Sequence, residues 1–269
     1  MDELLTLSHV YAGYDKRDII QDVSVSLPRG QFCALLGANG SGKTTLLKTV
    51  CGFLPFRGDC RFLGKPLGDF SPKERSRHMG YLAQRGGVTI PLSVGDVVLM
   101  GCNPVLGVFQ QPGKRHREAA LAALEQVGLA CLWEKDFLSL SEGQRQLVLF
   151  ARSRVLCPEL LVLDEPDSAL DFQNRHRMMA LLRRTVEEGN SVLLCSHDAG
   201  FAMQYADRLL LLKDGRLVHD LFMAEVEDRV LQKALSGLYG PVELLRRGNL
   251  RVMVKGEREL ESDGANLPL

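Results

Sequence analysis

The sequence predicts an α/β fold built on a mainly parallel β-sheet. Short apolar runs of strand length alternate along the chain with segments of helical periodicity. Two of these runs end in polar residues, one at Asp164 and the other at Ser196, and a third ends in the glycine-rich segment 37–44. Because the carboxyl ends of parallel strands meet at one edge of a sheet, these observations also predict a ligand site at that edge.

The individual elements follow from the same patterns in chain order. Apolar runs and alternations predict strands at 4–10, 19–27, 31–36, 79–83, 160–163 and 192–195. Helical periodicity predicts helices at 45–50, 114–127, 142–156, 173–188 and 199–206. The patterns weaken after Asp220. The predictions beyond it are an amphipathic helix at 224–235, paired strands within 242–254 and a frayed tail at 257–269.

Composition and charge exclude several classes of protein. The chain has 269 residues, 45% of them hydrophobic, which is too apolar for a disordered chain and enough for a full core. Its 33 Lys and Arg balance 33 Asp and Glu, so no nucleic acid partner is expected. Apolar runs such as 209–212 are far shorter than the ~18 residues that cross a bilayer. Acidic Asp2 and Glu3 stand where a secretory signal carries basic residues, so we expect a cytoplasmic protein.

The seven cysteines are spread along the chain without a CxxC pair. Several lie in apolar, strand-like runs. This spacing favours reduced thiols in the core over a disulfide or metal role.

The segment 37–44, with the sequence GANGSGKT, matches the P-loop pattern GxxxxGK[ST] between a strand and a helix. Glycines let successive backbone N–H groups turn toward phosphate oxygens, and the helix N-terminus favours an anion. Lys43 is predicted to reach the β- and γ-phosphates, and the Thr44 hydroxyl to bind Mg²⁺. The predicted nucleotide-binding residues of this segment are Gly37, Ala38, Asn39, Gly40, Ser41, Gly42, Lys43, Thr44 and Thr45.

Two carboxylates follow the strand at 160–163. Asp164 is predicted to hold Mg²⁺ together with Thr44, and Glu165 to polarise a water that attacks the γ-phosphate. A strand ending in Asp-Glu without a P-loop is more often a solvated or capping pair. The P-loop reverses that preference here.

Four further segments narrow the class of P-loop protein. Leu140-Ser141-Glu142-Gly143-Gln144 resembles the signature peptide of ABC ATPases, usually Leu-Ser-Gly-Gly-Gln, and 164–171 resembles that family's Walker B strand end and D-loop. Gln84 resembles the Q-loop glutamine, and His197 the switch histidine. The resemblance covers about residues 4–220. A P-loop kinase or GTPase is disfavoured because neither explains the signature peptide.

The resemblance implies a P-loop NTPase (RecA-like) α/β core with a mainly parallel sheet, an N-terminal antiparallel β subdomain and an inserted helical subdomain. It implies one ATPase domain at 1–220, with the helical subdomain at about 88–155, and a C-terminal extension at 221–269. For the extension, a packing role is favoured over a regulatory domain.

The resemblance also implies roles for individual residues. Glu165, His197, Lys43 and Gln84 would be catalytic, and Thr44, Gln84 and Asp164 would hold the metal. Besides the P-loop, the implied ATP-binding residues are Tyr14, Ser141, Gly143, Gln144 and Asp171. Tyr14 would stack on adenine, with Tyr11 as the competing candidate. The implied cofactors are ATP and Mg²⁺.

The implied partners follow from the family's architecture. One chain carries one P-loop and one signature peptide, so a second copy is needed to sandwich two ATP molecules. The chain resembles the free-standing ATPase subunits of importers, docked on integral membrane permease subunits at the cytoplasmic face of the membrane and served indirectly by a substrate-binding protein. A groove near Gln84 and the segment 86–111 would receive a permease helix.

Several further segments look most like the iron-chelate, cobalamin and haem uptake branch of importers. They are 93–101, Asn103-Pro104, 196–198 and 205–208. The implied function is an ATPase that powers uptake of an iron(III)-siderophore, cobalamin, haem or similar chelate. A molybdate or zinc importer ATPase and a soluble ABC ATPase remain alternatives. Two residues depart from the family pattern, since Glu142 replaces a glycine and Asp167 a common threonine.

Overall fold

The computed structural model describes residues 3–15, 17–84, 88–168, 170–248 and 250–256. The helices are α1 (Lys43–Val50), α2 (Pro72–His78), α3 (Val94–Leu99), α4 (Lys114–Gln126), α5 (Glu142–Arg154), α6 (Phe172–Glu187), α7 (Ala199–Tyr205) and α8 (Asp228–Tyr239). The strands are β1 (Glu3–Tyr14), β2 (Arg17–Pro28), β3 (Phe32–Leu36), β4 (Phe56–Phe62), β5 (Lys65–Pro66), β6 (Met79–Leu82), β7 (Leu160–Asp164), β8 (Ser191–Cys195), β9 (Arg208–Lys213), β10 (Arg216–Phe222), β11 (Val242–Arg247) and β12 (Leu250–Lys255). None of the helices in the described ranges has the length and hydropathy of a membrane-spanning segment.

The central sheet has six strands in the order β10-β9-β3-β8-β7-β6. Pairing from β6 to β9 is parallel, and only β10 runs antiparallel to its neighbour β9. The predicted α/β fold with a mainly parallel sheet is therefore confirmed. Burial on both faces explains the continuous apolar runs of β3, β7 and β8, in which every residue is buried.

Two hydrophobic cores lie on opposite faces of this sheet. Phe32, Ala34 and Leu36 point into the core that is shared with the helical region and with α6, α7 and α8. Cys33 and Leu35 alternate with them and pack on the other face, against α1 and the N-terminal sheet. Successive side chains of a strand point to opposite faces, so one five-residue strand serves both cores.

The N-terminal strands form a separate antiparallel sheet in the order β2-β1-β4-β5. Helices α3, α4 and α5 lie in the chain between β6 and β7 and share one core with the central sheet. The predicted antiparallel sheet and the inserted helices are both present. The two central-sheet strands that flank the insertion, β6 and β7, pair directly with each other.

The C-terminal helix differs from its prediction at both ends, since α8 spans Asp228–Tyr239 and not 224–235. Helix α8 begins at Asp228 and not at residue 224, because the N–H groups of Glu225 and Val226 bond to the carbonyl of Phe222 and close a turn after β10. The predicted strand pair forms the β11–β12 hairpin. Asp228 receives hydrogen bonds from Arg246 and Arg251, so the hairpin is tied to the first turn of α8. The tail at 257–269 lies outside the described residues.

The prediction of core thiols is right for five cysteines and wrong for two. Cys33, Cys51, Cys60, Cys102 and Cys195 are buried, and desolvation raises their thiol pKa values. Cys131 and Cys157 are exposed because they lie in a short 3₁₀ turn and in the loop before β7. All seven are free thiols.

Candidate functional site

The parallel sheet brings three loops to one edge. Strand β3 pairs on one side with β8, which in turn pairs with β7. The P-loop follows β3, Glu165 follows β7, and His197 lies just after β8. Register supports this convergence, since Leu35 and Asp164 both pair with Cys195.

The P-loop has the backbone geometry that its glycines predict. Gly40 and Gly42 adopt positive φ values of 79° and 104°, a region that glycine enters without strain. A Cβ on Gly37 would lie 2.4 Å from the carbonyl oxygen of Leu212, and one on Gly42 would lie 2.9 Å from Ile20. A side chain at either position would therefore distort the loop.

Lys43 and Ser41 direct polar groups into this loop. The Lys43 side chain is only 5% exposed. Its ammonium donates hydrogen bonds to the carbonyl oxygens of Gly37 and Ala38, at 2.9 and 3.2 Å. The Ser41 hydroxyl is buried without a hydrogen-bond partner among the described residues. Buried polar groups are normally paired, so a phosphate oxygen fits the chemistry of this loop.

A cavity of about 470 Å³ opens beside the P-loop. It is lined by Tyr14, Ile19, Asn39, Gly40, Gly42, Lys43, Thr44, Thr45, Gln84 and Glu165. Tyr14 is 44% exposed at its edge, whereas Tyr11 lines a different depression and lies against Arg57. Of the two tyrosines, only Tyr14 can meet a ligand in this cavity. Ile19 is a cavity residue that the sequence analysis missed, because its apolar pattern predicted only a strand and gave no sign of a ligand contact.

Thr44, which lines the cavity, and the buried Asp164 behind it form a pair of oxygen groups. The Thr44 hydroxyl donates a 3.1 Å hydrogen bond to Asp164 Oδ1, across 120 residues of sequence. Asp164 is 2% exposed, and its carboxylate faces the start of α1. A hydroxyl and a carboxylate beside a phosphate loop are oxygen ligands of the kind that Mg²⁺ prefers.

The Glu165 carboxylate lies close to the other three residues that were predicted to be catalytic. Gln84 Nε2 donates a 2.7 Å hydrogen bond to Glu165 Oε2. Lys43 Nζ lies 3.8 Å from Oε1, and His197 Nδ1 lies 3.9 Å from Oε2. The structure therefore brings together all four residues that were predicted to be catalytic.

The backbone of Glu165 is strained. Its φ is 48°, a left-handed conformation that costs a non-glycine residue about 1–3 kcal/mol. A hydrogen bond from its N–H to the carbonyl of Cys195, at 3.0 Å, holds it there. This conformation turns the carboxylate of Glu165 toward the P-loop, while Asp164 stays in the strand.

The signature peptide lies at the start of α5. The Ser141 hydroxyl accepts the N–H of Gln144 at 3.3 Å, and the Gln144 side chain accepts the N–H of Ser141 at 3.1 Å, which is a capping box. Because the Ser141 hydroxyl acts as an acceptor in this capping box, its proton is available for donation to an anion. None of Ser141, Gly143 and Gln144 lines the P-loop cavity of the same chain.

Gly143 connects the signature peptide with the D-loop. A Cβ on Gly143 would lie 3.0 Å from the side chain of Asn174, so α5 and α6 begin side by side. Asp171 caps α6 by accepting from the N–H and the amide group of Asn174. Asp171 is likewise absent from the lining of the cavity.

Comparison with known proteins places this geometry in a family. A family model described as ABC transporter matches residues 20–168, more than half of the chain. The chain belongs to the ABC transporter family. As an ABC ATPase, it binds ATP and hydrolyses it.

Relatives and solved structures agree with this placement. The chain is 35% identical over 234 residues to the hemin import ATP-binding protein HmuV of Escherichia coli O157:H7, covering 83% of this chain and 87% of the relative. It is 35% identical over 239 residues to the zinc transport system ATP-binding protein TroB of Treponema pallidum, covering 88% of both. A metal-chelate type ABC transporter in an inward-facing conformation superposes with a TM-score of 0.80 at 26% identity, covering 94% of this chain and 96% of that one.

Glu142 stands in the signature of this ABC ATPase where the family has a glycine. Its carboxylate is more than half exposed and lies 3.8 Å from the Arg145 guanidinium, one turn along α5. An exposed ion pair at this distance neutralises the negative charge of Glu142 only in part. We expect Glu142→Gly to raise ATP turnover and ATP-driven dimerisation roughly 2- to 5-fold, because it removes a negative charge from the signature peptide, which the family resemblance places opposite the γ-phosphate held by a second copy. Steady-state hydrolysis and light scattering measure the two effects.

Glu142→Gln is the matched control because it removes the charge and keeps the length of the side chain. A charge effect predicts that this variant behaves like Glu142→Gly and that its advantage shrinks as salt rises. Unchanged turnover and dimerisation in both variants would contradict the prediction.

Proposed function

We propose that this ABC ATPase is the ATP-hydrolysing subunit of an importer that takes up an iron(III)-siderophore, cobalamin, haem or a similar metal chelate. It acts as a peripheral subunit on the cytoplasmic face of the membrane. Residues 1–220 form the ATPase domain, with the helical subdomain at about 88–155, and 221–269 form a C-terminal extension. The convergence of Lys43, Gln84 and His197 on the Glu165 carboxylate is the observation that carries the ATPase part.

Two copies of the chain form the complete site. The signature residues Ser141, Gly143 and Gln144 lie outside the cavity that holds the P-loop of their own chain. A symmetric pair in which each Ser141 faces the other copy's P-loop supplies both halves. The start of α5 then directs its free N–H groups and the Ser141 hydroxyl at the γ-phosphate, and Asp171 extends to the partner from the neighbouring helix start.

The described residues fit Mg²⁺ as well as ATP. Thr44 and Asp164 would hold the metal, and the side-chain oxygen of Gln84, whose amide nitrogen contacts Glu165, would be a further ligand. When bound, Mg²⁺ neutralises charge on the β- and γ-phosphates. Tyr14 stacks on the adenine at the open side of the cavity.

Hydrolysis follows from the contacts of Glu165. Its carboxylate accepts a proton from the attacking water, and His197 orients that water from the other side. Lys43 stabilises the charge that develops on the transferred phosphoryl group. The strained backbone holds Glu165 in position before ATP arrives, so little reorganisation is needed in the reaction.

Support for a metal-containing cargo comes from the relatives. The hemin importer subunit HmuV and the metal-chelate type transporter favour a chelate, and the zinc subunit TroB favours a bare metal ion as the second candidate. Within the described residues, no group of three or more His, Cys, Asp or Glu side chains forms a metal cluster. We assign cargo recognition to the permease and the substrate-binding protein, because the proposed role of this subunit is to drive the permease with ATP from the cytoplasmic face.

A permease contact is supported by an exposed apolar segment of the helical region. Val108 and Phe109 are 92% and 98% exposed, and Ile90, Met100 and Val105 are also exposed large hydrophobic residues. Residues 85–87 of the expected groove lie outside the described part of the chain. Exposed apolar side chains that follow one another in this way are typical of an interaction surface.

Replacement of both exposed residues, Val108→Ser with Phe109→Ser, is expected to weaken co-purification with the permease at least tenfold. Basal ATP hydrolysis by the free subunit should stay at the wild-type rate, because neither side chain touches the P-loop cavity. Val230→Ser is the matched control, since Val230 is 49% exposed on α8. Equal permease binding by the double variant and the control would contradict the assigned surface.

Transport itself tests the proposed function. The chain is reconstituted in liposomes with a candidate permease and substrate-binding protein from the same genome, and ATP-dependent uptake of haem, cobalamin, a ferric siderophore and Zn²⁺ is compared. Uptake of a chelate that disappears in Glu165→Gln supports the proposal, and uptake of Zn²⁺ alone supports the second candidate. Hydrolysis that needs no permease and rises with nucleic acid would favour a soluble ABC ATPase.

A further inference from the structure

A buried polar cluster joins the D-loop to the segment that carries His197. We call residues 196–198 the switch segment. Asp167 is 1% exposed, and its Oδ2 accepts a 3.4 Å hydrogen bond from the Ser196 hydroxyl. That hydroxyl accepts the N–H of Asp198 at 3.0 Å. The two bonds therefore fix Ser196 and Asp198, the residues directly before and after His197.

Arg175 contacts the same two segments from α6. Its guanidinium donates to Asp198 Oδ2 at 3.3 Å and to the carbonyl of Leu170 in the D-loop at 3.4 Å. The ring of Phe201 lies 5.3 Å beneath the guanidinium. Arg175 thus holds the far end of the switch segment against the D-loop, as Asp167 holds the near end.

The cluster is incompletely paired. Asp167 Oδ1, Arg175 Nε and the Tyr239 hydroxyl are buried without a hydrogen-bond partner among the described residues. Desolvation raises the pKa of Asp167, and the charges that act on it are those of His197, Arg175 and Asp198. Burial also raises the pKa of Tyr239, to about 12. A buried polar group without a partner is costly, so each of these three calls for an explanation.

We propose that Asp167 is a positioning residue that, through Ser196, sets the place of the His197 ring beside Glu165. The ring nitrogen Nδ1 lies 3.9 Å from Glu165 Oε2, so a small shift of the switch segment changes its reach. Arg175 and Leu170 transmit the position of the D-loop to the same segment. This inference rests on the proposed role of His197 in hydrolysis.

A double-mutant cycle on ATP hydrolysis tests the proposal. Asp167→Ala and Ser196→Ala are each expected to lower kcat roughly 10- to 100-fold with KM for ATP unchanged, since misplacement of a catalytic group has effects of this size. The double variant should be no slower than Ser196→Ala alone, because Ser196→Ala already removes the bond to Asp167 together with the bond from the Asp198 N–H. Asp167→Asn keeps an acceptor for Ser196 and should recover most of kcat.

Thermal unfolding separates positioning from folding. At low pH the Asp167 carboxyl is protonated in the folded and unfolded states. Because burial raises its folded pKa, stability is lost as pH rises from the ordinary pKa of an aspartate through the raised folded pKa, and it stays lower above that range. Asp167→Asn should therefore unfold at the same or a higher temperature than wild type at pH 8, and this difference should shrink toward pH 4. Tyr239→Phe, which removes an unpaired hydroxyl beside the same segment, should keep wild-type kcat.

The outcomes distinguish the positioning role of Asp167 from the role of His197 in hydrolysis on which it rests. A slow His197→Ala with a normal Asp167→Ala overturns the positioning role alone. A normal His197→Ala overturns the proposed role of His197 and the positioning role with it. Effects of Asp167→Ala and Ser196→Ala that multiply in the double variant, or that raise KM at constant kcat, also overturn the positioning role.

Discussion

Glu165→Gln is expected to lower ATP hydrolysis by roughly 10²- to 10⁴-fold, the contribution of a positioned general base. The amide has the size of the carboxylate but does not accept a proton from water. ATP binding should be retained or tighter, because the substitution removes a negative charge that lies 3.8 Å from Lys43 in the phosphate cavity. Phosphate release and equilibrium binding of a fluorescent ATP analogue measure the two quantities.

The same variant should accumulate as an ATP-bound dimer, since closure no longer ends in hydrolysis. Size-exclusion chromatography with and without ATP and Mg²⁺ detects this dimer. Glu225→Gln is the matched control because Glu225 is exposed in the turn after β10, away from the cavity. A Glu165→Gln variant that hydrolyses ATP at the wild-type rate would remove Glu165 from the role of base.

Lys43→Ala is expected to weaken ATP binding roughly 10- to 150-fold, because a charged hydrogen-bond donor to phosphate contributes about 1.5–3 kcal/mol. The ammonium is buried in the P-loop and reaches its carbonyl oxygens at 2.9 and 3.2 Å. No other lysine or arginine lines the described cavity, so a neighbouring side chain does not replace it. Isothermal titration calorimetry with ATP and Mg²⁺ measures the loss.

Lys48→Ala gives the matched control on the same helix, since Lys48 lies in the last turn of α1 and outside the cavity. Its ATP affinity should equal that of wild type. AMP, which lacks the β- and γ-phosphates, should bind wild type and Lys43→Ala with similar affinity. An equal loss of AMP binding in Lys43→Ala would point to a damaged fold and contradict a contact with those phosphates.

Much of the site could be predicted because its chemistry lies in short, contiguous patterns. The P-loop needs glycines at fixed positions for its backbone angles, and Gly40 and Gly42 have the expected positive φ values. The carboxylates after β7 follow from a strand that ends in two acids. Such features depend on neighbours in the chain, so a pattern of residue types is enough to find them.

Other predictions failed or stayed open because they depended on packing. The apolar pattern around Asp228 did not reveal where α8 begins, because the preceding turn closes on the carbonyl of Phe222. Tyr14 was the predicted adenine contact and Tyr11 its competitor, and only the structure showed that they line different depressions. Asp167 had no explanation in the sequence, since its hydrogen-bond partner Ser196 follows β8 and lies 29 residues away along the chain.

By itself, the sequence determined the α/β class, the nucleotide loop, the two carboxylates and the family. These features are encoded in local periodicity, in glycine conformations and in short motifs. Only the tertiary structure decided that Gln84, Lys43 and His197 meet at one carboxylate of Glu165, and that the signature peptide lies outside the cavity of its own chain. The physical reason is that strand order and register set distances between residues that lie far apart in the chain, and no local pattern records them.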